Sequence, residues 1–226
     1  MKILLDSEDN NRSLLKAFLE DPQGHVLAGE VYKPGSRGYA VKVLLAGQDV
    51  FVKEYRCLGT SYRILNAFRR SRAVYSWSVS WKLLAAGVIV PRPLFCVENR
   101  TCRLLDEAYL ATEFVSGGVD LLSYWKKASE ETRSRTLGKC AEVLGKMHAL
   151  GWRHGDLKWK NILIRETTAA PDIILVDIDA ARHCSFQKKR RITSDVSRFI
   201  KDLKKQGVNE QEVASFLLKW KSYADC

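Results

Sequence analysis

A short polar segment in the second half of the chain combines three side-chain types that phosphoryl transfer uses. It reads HGDLKWKNILI and places Asp156, Lys158 and Asn161 just ahead of an apolar run. A carboxylate can orient an attacking hydroxyl, an ammonium can reach a phosphate, and an amide oxygen can bind a hard cation such as Mg²⁺. The alternative interpretation is an ordinary polar loop that ends in a short buried strand.

A second acidic position follows another apolar run. Asp177 comes directly after residues 173–176, and Asp179 lies two residues further on. An acid just past a buried strand is well placed to bind a metal, so Asn161 and Asp177 are the candidate Mg²⁺ ligands. His154 is expected to brace the loop, because the chemistry needs only a carboxylate.

The first third of the chain is predicted to form a three-stranded antiparallel meander. The three β-favouring runs are residues 26–32, 39–45 and 50–55. Residues 33–38 and 46–49 between them carry strong turn signals. Lys53 lies on the third strand, where it is either an ordinary exposed lysine or a cation that pairs with phosphate. Gly35 and Gly38 lie in the first turn, which either closes a simple hairpin or cradles phosphates.

The next stretch is predicted to be a long helix followed by strands. The helix covers about 62–86, with a buried stripe of Val74, Trp77, Trp81 and Leu84, and Gly87 ends it. Further strands are expected around 94–97 and 108–114.

The remainder of the chain is predicted to be mainly helical. Helices are expected at 121–127 and about 130–150, two short strands at 162–164 and 173–176, and helices again at the end. The long helix should bury Leu137, Ala141, Leu144 and His148 and end at Gly151. The resulting order is a β-rich part, a glycine-containing connector and a helical part.

Length and composition indicate a globular protein with a substantial core. The chain has 226 residues, of which 46% are apolar and 28% charged, enough for one large domain or two small lobes. Six scattered cysteines without a C-x-x-C pair support neither a zinc site nor a disulfide framework. We therefore expect reduced, mostly buried thiols.

Charge is the unusual bulk property. Lys and Arg number 37 against 26 acids, which gives a net charge of +11 and favours a polyanionic partner. Basic clusters occur at 69–72 and 188–191, although either could be a solvated face. No zinc finger, RNA-recognition signature or glycine-arginine tract is present, so nucleic acid is not the expected partner.

Hydropathy predicts a cytoplasmic protein. The N-terminal residues run directly into Asp6 and Glu8 without the pattern of a signal peptide. The longest apolar stretch, Leu83–Val90, is far shorter than the ~20 residues that a membrane-spanning helix needs.

Taken in order, these segments resemble the lipopolysaccharide kinase (Kdo/WaaP) family of the protein-kinase-like superfamily. HGDLKWKN is similar to the catalytic loop HRDLxxxN, with Gly155 in place of Arg. VDIDAAR stands where protein kinases carry DFG, and FVKEYR matches the strand with the phosphate-pairing lysine. FRRSRAVYSWSVSWKLLAAGVIVPRPL strengthens the match, which covers about residues 26–198.

The resemblance implies an α+β, two-lobed protein-kinase-like fold in one domain. The small antiparallel β N-lobe would cover about 1–113, the hinge about 113–118, and a mainly helical, truncated C-lobe about 119–226. ATP and Mg²⁺ would be the cofactors, with ATP in the cleft.

The resemblance also implies a role for each candidate residue. Asp156 would orient the acceptor hydroxyl, and Lys158 would offset charge on the phosphoryl group. Asn161 and Asp177 would hold Mg²⁺. The nucleotide would be bound by Lys53, Gly35, Gly38, Glu113, Phe114 and Val115.

The implied acceptor is a sugar hydroxyl, of Kdo or heptose, in the lipopolysaccharide inner core of a Gram-negative bacterium. The protein would then work peripherally on the cytoplasmic face of the inner membrane. The positive charge suits this anionic glycolipid. Our hypothesis is that Lys188, Lys189, Arg190 and Arg191 contact it.

Two departures from the kinase pattern leave alternatives open. Ser76 stands where kinases carry the glutamate that pairs with the strand lysine, and no acid occurs between Tyr55 and Val97. The segment after Asp177 has no A-P-E motif and is short, which favours a small or lipid-linked acceptor. The alternatives are a minimal RIO-like Ser/Thr protein kinase, a small-molecule phosphotransferase, and a nucleotide-binding pseudokinase scaffold.

Overall fold

A computed structural model of the chain describes residues 1–33, 38–57, 59, 63–64, 67–168, 170–184 and 188–224. For Lys33 and residues 188–191 it describes the backbone alone. The chain forms two compact units. The first comprises Met1–Trp81 and Pro91–Val115, and the second comprises Lys82–Val90 and the chain from Ser116 onward.

The first unit is built on a six-stranded antiparallel sheet in the order β1-β5-β6-β4-β3-β2. Its strands are β1 (Lys2–Leu5), β2 (Glu30–Lys33), β3 (Ala40–Leu45), β4 (Gln48–Arg56), β5 (Pro93–Thr101) and β6 (Leu104–Glu113). Its helices are α1 (Asp9–Glu20), α2 (Pro22–Ala28) and most of α3 (Arg72–Ala85).

Alternation along β4 gives the two faces of this sheet different partners. Val50 and Val52 are fully buried in a core that includes Phe18 of α1. Tyr55 belongs to a second core with Val74 of α3. Because side chains two residues apart share a face of a strand, Lys53 lies on the same face as Tyr55.

The second unit is mainly helical. It contains α4 (Leu121–Lys127), α5 (Glu130–Ala149), α6 (Lys188–Lys205) and α7 (Glu210–Ala224). Its small sheets pair β10 (Asp172–Leu175), β9 (Ile162–Arg165) and β7 (Val119–Asp120), and separately β11 (Arg182–His183) and β8 (Trp152–Arg153). Short 3₁₀ turns occur at Trp159–Asn161 and Ile178–Ala180.

The long helix α5 carries the core of the second unit. Leu137, Ala141, Leu144 and His148 are all buried, as their spacing predicts. Gly145 lets α7 approach closely, because a Cβ at this position would lie 2.9 Å from the carbonyl oxygen of Trp220. Gly151 has a positive φ of 78° and follows the end of the helix, which confirms its predicted role.

Several sequence predictions are confirmed, and two are wrong. The meander β2–β3–β4, the strands β5, β6, β9 and β10 and the helices α4 and α5 form where expected. Residues 26–28, however, belong to α2, which begins at Pro22 with Asp21 as its N-cap. We missed this start signal because Val26 and Leu27 alone favour a strand. Strand β1 and helix α1 were also not predicted.

The predicted helix 62–86 is shorter than expected, and its buried face is rotated. It begins at Arg72; residues 63–64 are helical, residues 67–68 form a turn, residues 70–71 are irregular, and 62, 65 and 66 lie outside the described residues. The fully buried positions are Ala73, Val74, Ser76, Val79, Ser80 and Leu83. Trp77, Trp81 and Leu84 are half-buried, since large indole rings rarely fit wholly inside a core.

The cysteines behave as predicted. All five that the structure describes are free thiols, and Cys96, Cys140 and Cys184 are buried. Burial raises the pKa of Cys96 and of Cys140 to about 12, so both stay protonated. No helix among the described residues has the length and apolar character needed to cross a bilayer.

Candidate active site

The segment from His154 to Asn161 forms a tight loop between β8 and β9. Its turns are closed by backbone hydrogen bonds from Lys158 N–H to the Asp156 carbonyl and from Asn161 N–H to the Lys158 carbonyl, 2.9 and 2.8 Å long. Asp156, Lys158 and Asn161 are thereby brought together, as their spacing in the sequence predicts.

Asp156 is held by three donors. Its Oδ2 accepts from Lys158 Nζ at 2.9 Å and from the Asn161 side-chain amide at 3.1 Å, and its Oδ1 accepts from Arg198 at 3.0 Å. Partial burial by itself would raise the pKa of this carboxyl group. The bond and charge of Lys158, with Asn161 and Arg198, outweigh burial, and the pKa is lowered. Asp156 is therefore an ionised hydrogen-bond acceptor.

His154 braces the loop, as the sequence suggested. Its ring is buried, Nε2 lies 3.0 Å from the Val176 carbonyl oxygen, and Nδ1 accepts a hydrogen bond from the Asp156 N–H at 3.3 Å. This pattern requires the neutral ring with its proton on Nε2. Burial accordingly lowers the pKa of His154. The ring thus ties the loop to the segment that precedes Asp177.

A buried carboxylate of α6 holds the backbone of the same loop. Asp195 is 2% exposed and accepts hydrogen bonds from the backbone N–H groups of His154 and Gly155. His148 Nε2 lies 3.6 Å from Asp195, while its Nδ1 accepts from the Trp220 indole at 2.9 Å. Three helices, α5, α6 and α7, therefore contribute to the position of the loop.

Two further residues of α6 contact the loop. Arg198 donates to the Gly155 carbonyl and to Asp156, and Asp202 accepts from the Trp159 N–H at 3.2 Å. The sequence prediction missed Asp195, Arg198 and Asp202. Their spacing of three and four residues, which places them on one side of a helix, was the signal available.

Asn161 and Asp177 lie on neighbouring strand ends. The Val176 N–H donates to the Asn161 carbonyl at 3.0 Å, directly beyond the β9–β10 pair. Asp177 follows with a left-handed backbone (φ 58°, ψ 47°), which an L-residue seldom adopts and which often marks a functional site.

The donor set suits Mg²⁺. The Asn161 amide nitrogen already donates to Asp156, which leaves its oxygen as the end that can accept a cation. Within the described part of the chain no group of three His, Cys, Asp or Glu side chains forms a metal cage. A pair of oxygen donors matches Mg²⁺, which usually keeps several waters and binds substrate phosphates.

Gly155, which replaces the arginine of the HRD pattern, is required by the local geometry. Its φ is +83°, and a Cβ would lie 2.4 Å from the Ala180 carbonyl oxygen. No side chain fits there without displacing the turn after Asp177. The departure from the pattern is thus a packing requirement that couples the candidate catalytic loop to the Asp177 segment.

Gly155→Ala is expected to destabilise the protein by roughly 2–4 kcal/mol, because a positive φ costs a non-glycine residue about 1–3 kcal/mol and the Ala180 contact adds to this. Thermal or denaturant unfolding measures the change. The matched control is Gly207→Ala, which has φ +75° but no atom within 4 Å of the added Cβ. Equal losses in the two variants would contradict the proposed contact.

In the first unit, Lys53 lies near Gly38, the last residue of the predicted glycine turn. It pairs in register with Ala40 of β3, and its ammonium lies 5.5 Å from the centre of the Tyr55 ring. Gly38 packs so closely on β4 that a Cβ would meet the Glu54 carbonyl oxygen at 1.9 Å. Gly35 lies outside the described residues.

The expected adenine-binding segment ends the first unit. Glu113 is the last residue of β6, and its N–H donates to the Arg92 carbonyl at 2.9 Å. The Phe114 ring packs against Tyr32, with centres 5.8 Å apart. Val115 is half-buried. Ser76, at the place of the kinase glutamate, is buried and lies on α3.

Comparison with known proteins supports the resemblance. The sequence pattern of the lipopolysaccharide kinase (Kdo/WaaP) family matches residues 47–220. A 3-deoxy-D-manno-octulosonic acid kinase of Pasteurella multocida (strain Pm70) is 24% identical over 126 residues. This match spans 56% of the chain and about half, 52%, of that relative.

A solved structure shows the same fold. The structure described as WaaP in complex with acyl carrier protein superposes with a TM-score of 0.72 at 19% identity, over 97% of this chain and 88% of that chain. The α+β, protein-kinase-like fold expected from the sequence is therefore confirmed. Because the family pattern extends over most of the chain, from β4 through the catalytic loop into α7, the protein belongs to the lipopolysaccharide kinase (Kdo/WaaP) family.

Proposed function

We propose that the protein is an ATP-dependent kinase that phosphorylates a sugar hydroxyl, of Kdo or heptose, in the lipopolysaccharide inner core. The observation that carries this proposal is the ionised Asp156, held by Lys158, Asn161 and Arg198 beside the Asn161–Asp177 pair. Family membership supports the reaction class, and the name of the Pasteurella relative supports an acidic sugar as acceptor.

The chemistry assigned to the loop is orientation of the acceptor. The acceptor oxygen attacks the γ-phosphorus, the bond from that phosphorus to the β–γ bridging oxygen breaks, and ADP leaves. Asp156 accepts the hydrogen bond of the attacking hydroxyl and so points its lone pair at phosphorus. Asp156 is ionised, because its pKa is lowered, and it can take the proton of the hydroxyl as the new bond forms.

Lys158, Asn161 and Asp177 complete this part of the proposal. Lys158, whose ammonium lies 2.9 Å from Asp156, offsets negative charge on the phosphoryl group. Asn161 and Asp177 hold Mg²⁺, which when bound neutralises the β- and γ-phosphate oxygens. Removal of Mg²⁺ should therefore abolish transfer.

The nucleotide-binding residues are assigned to the first unit. Lys53 pairs with phosphate, Gly35 and Gly38 shape the turn over it, and Glu113 and Val115 present backbone groups to adenine. In protein kinases a glutamate carboxylate pairs with the lysine that corresponds to Lys53. Ser76 cannot replace that carboxylate, so another group must orient Lys53. We further propose that the chain is one kinase domain, with its lobes at about 1–113 and 119–226 and a hinge at about 113–118.

The partners follow from the proposed acceptor. An inner-core glycolipid is made at the cytoplasmic face of the inner membrane, and the net charge of +11 suits peripheral contact with that anionic surface. Acyl carrier protein is a candidate protein partner, because the solved relative was bound to it. The hypothesis on residues 188–191 stays a prediction, since their side chains lie outside the described part of the structure.

The test is transfer of labelled γ-phosphate from Mg-ATP to dephosphorylated inner-core lipopolysaccharide, a generic basic protein or no acceptor. We expect label on the glycolipid alone, and its loss when EDTA removes Mg²⁺. Label on the basic protein would favour a RIO-like protein kinase. ATP binding without transfer to any acceptor would favour the pseudokinase reading, for which Ser76 is the supporting observation.

A further inference from the structure

The solvent-exposed face of α6 is a continuous basic stripe. Arg198, Lys201 and Lys205 follow one another at spacings of three and four residues, with Lys204 beside them, and all four are exposed. The opposite face, with Val196, Phe199 and Leu203, is buried in the core of the second unit. The four cations define what we call the α6 stripe.

The α6 stripe differs from an ordinary solvated helix face. On a solvent-exposed helix face that is stabilised by salt bridges, charges of both signs alternate. The two acids of α6, Asp195 and Asp202, both turn toward the catalytic loop and accept its backbone N–H groups. In the part of the chain that the structure describes, the one ion pair of the three stripe lysines is Lys205 with Asp202, at 3.5 Å.

The stripe begins at the candidate catalytic carboxylate. Arg198 donates one hydrogen bond to Asp156 Oδ1 at 3.0 Å and another to the Gly155 carbonyl at 2.9 Å, while its side chain stays 46% exposed. With a rise of 1.5 Å per residue, Lys205 lies about 10 Å further along the helix axis. An acceptor whose hydroxyl meets Asp156 would therefore have cations beside it over that length.

A groove accompanies the lysines. It is shallow and open to solvent, and its lining residues all lie on α6: Ser197, Ile200, Lys201, Lys204 and Lys205. Cations, a hydroxyl and an apolar side chain together suit a sugar that carries a carboxylate or a phosphate.

We propose that the α6 stripe binds the anionic groups of the acceptor, its carboxylate or phosphate, next to the hydroxyl that is phosphorylated. This inference rests on the proposed function and makes it more specific. Arg198 contacts the group nearest to Asp156, and the lysines contact groups further along the acceptor. The stripe thereby selects an acidic glycan and fixes the direction in which it lies.

The experiment measures direct binding of deacylated inner-core oligosaccharide to the full chain at low salt. The variant carries Lys201→Gln, Lys204→Gln and Lys205→Gln. Its control carries Lys126→Gln, Lys127→Gln and Lys221→Gln, which removes the same charge from exposed positions on α4 and α7. We expect the stripe variant to bind at least about tenfold more weakly, which corresponds to ~1.4 kcal/mol, and the control to bind within about twofold of the parent protein.

Two further ligands identify the recognised group. An oligosaccharide with its carboxylates reduced to alcohols, and one with its phosphates removed, are titrated against each protein. The parent protein should lose affinity for at least one of them, and the stripe variant should no longer distinguish that ligand from the intact one. Equal binding by parent and stripe variant, or an equal loss in the control, would overturn the proposal.

Vesicles of anionic phospholipid without the glycolipid separate the acceptor from the membrane surface. If the stripe variant lost vesicle binding but kept oligosaccharide binding, the stripe would be a membrane contact and the proposal would be wrong. Transfer assays distinguish this failure from that of the proposed function. Stripe-dependent binding without transfer would contradict the kinase reaction alone, and normal transfer with stripe-independent binding would contradict the stripe alone.

Discussion

Asp156→Asn is expected to lower the rate constant of phosphoryl transfer by about 10³-fold, within the range of 10²–10⁴ that a positioned proton acceptor contributes. The amide cannot be the ionised acceptor that orients the hydroxyl. It also removes the negative charge with which both Lys158 and Arg198 pair. The measurement is the initial rate of label transfer at saturating Mg-ATP and acceptor.

The control for this variant is Asp172→Asn. Asp172 pairs with Arg165 at 2.8 Å on β10, in the same unit but outside the catalytic loop, and we expect transfer within about twofold of the parent rate. ATP affinity should be retained in Asp156→Asn, because its side chain is assigned to the acceptor. A variant that kept a tenth or more of the parent rate would remove Asp156 from the reaction.

The arrangement of the candidate catalytic loop could be predicted from the sequence because its residues are close together in the chain. Asp156, Lys158 and Asn161 lie within six positions, so any tight turn brings them together, and the neighbouring apolar runs fix the strands on which they depend. His154 was also recognised as a brace, since phosphoryl transfer gives an imidazole no necessary role. Contacts within so short a segment depend on the local backbone, so they can be predicted without knowledge of the tertiary fold.

The support of the loop could not be predicted in the same way. Asp195 lies 41 positions after His154, within a helix whose composition is dominated by lysine and arginine, and only the packing of α6 reveals that its acids turn inward. The same applies to α2 and to the rotated face of α3. Capping by Asp21 and the bulk of Trp77 and Trp81 outweighed the local pattern in those two cases.

Asp195→Asn is expected to cost roughly 2–4 kcal/mol of stability, since hydrogen bonds to a charged group contribute about 1.5–3 kcal/mol each and two are made here. In the parent protein each carboxylate oxygen accepts one N–H, from His154 or from Gly155. An amide has only one oxygen, so its NH₂ group would face one of these two N–H groups. Because these N–H groups hold the loop, transfer by the folded protein should also fall. Unfolding by denaturant and the rate constant of transfer are measured separately.

The matched variant is Asp202→Asn on the same helix. The Asp202 side chain accepts a single backbone N–H, from Trp159 at 3.2 Å, so this variant should lose only about 1 kcal/mol of stability.

The stabilising effect of Asp195 is expected to depend on pH. Burial by itself would raise the pKa of Asp195, but His148 and the two N–H groups outweigh burial and lower the pKa. The carboxylate therefore stabilises the fold above its ordinary pKa of about 3.9 and loses this effect as the pH falls through the lowered value. The difference in unfolding free energy between parent and Asp195→Asn should therefore shrink as the pH falls below about 3.9. A difference that disappeared near neutral pH would assign the effect to a histidine, and equal losses at 195 and 202 would show that the loop does not depend on the buried carboxylate.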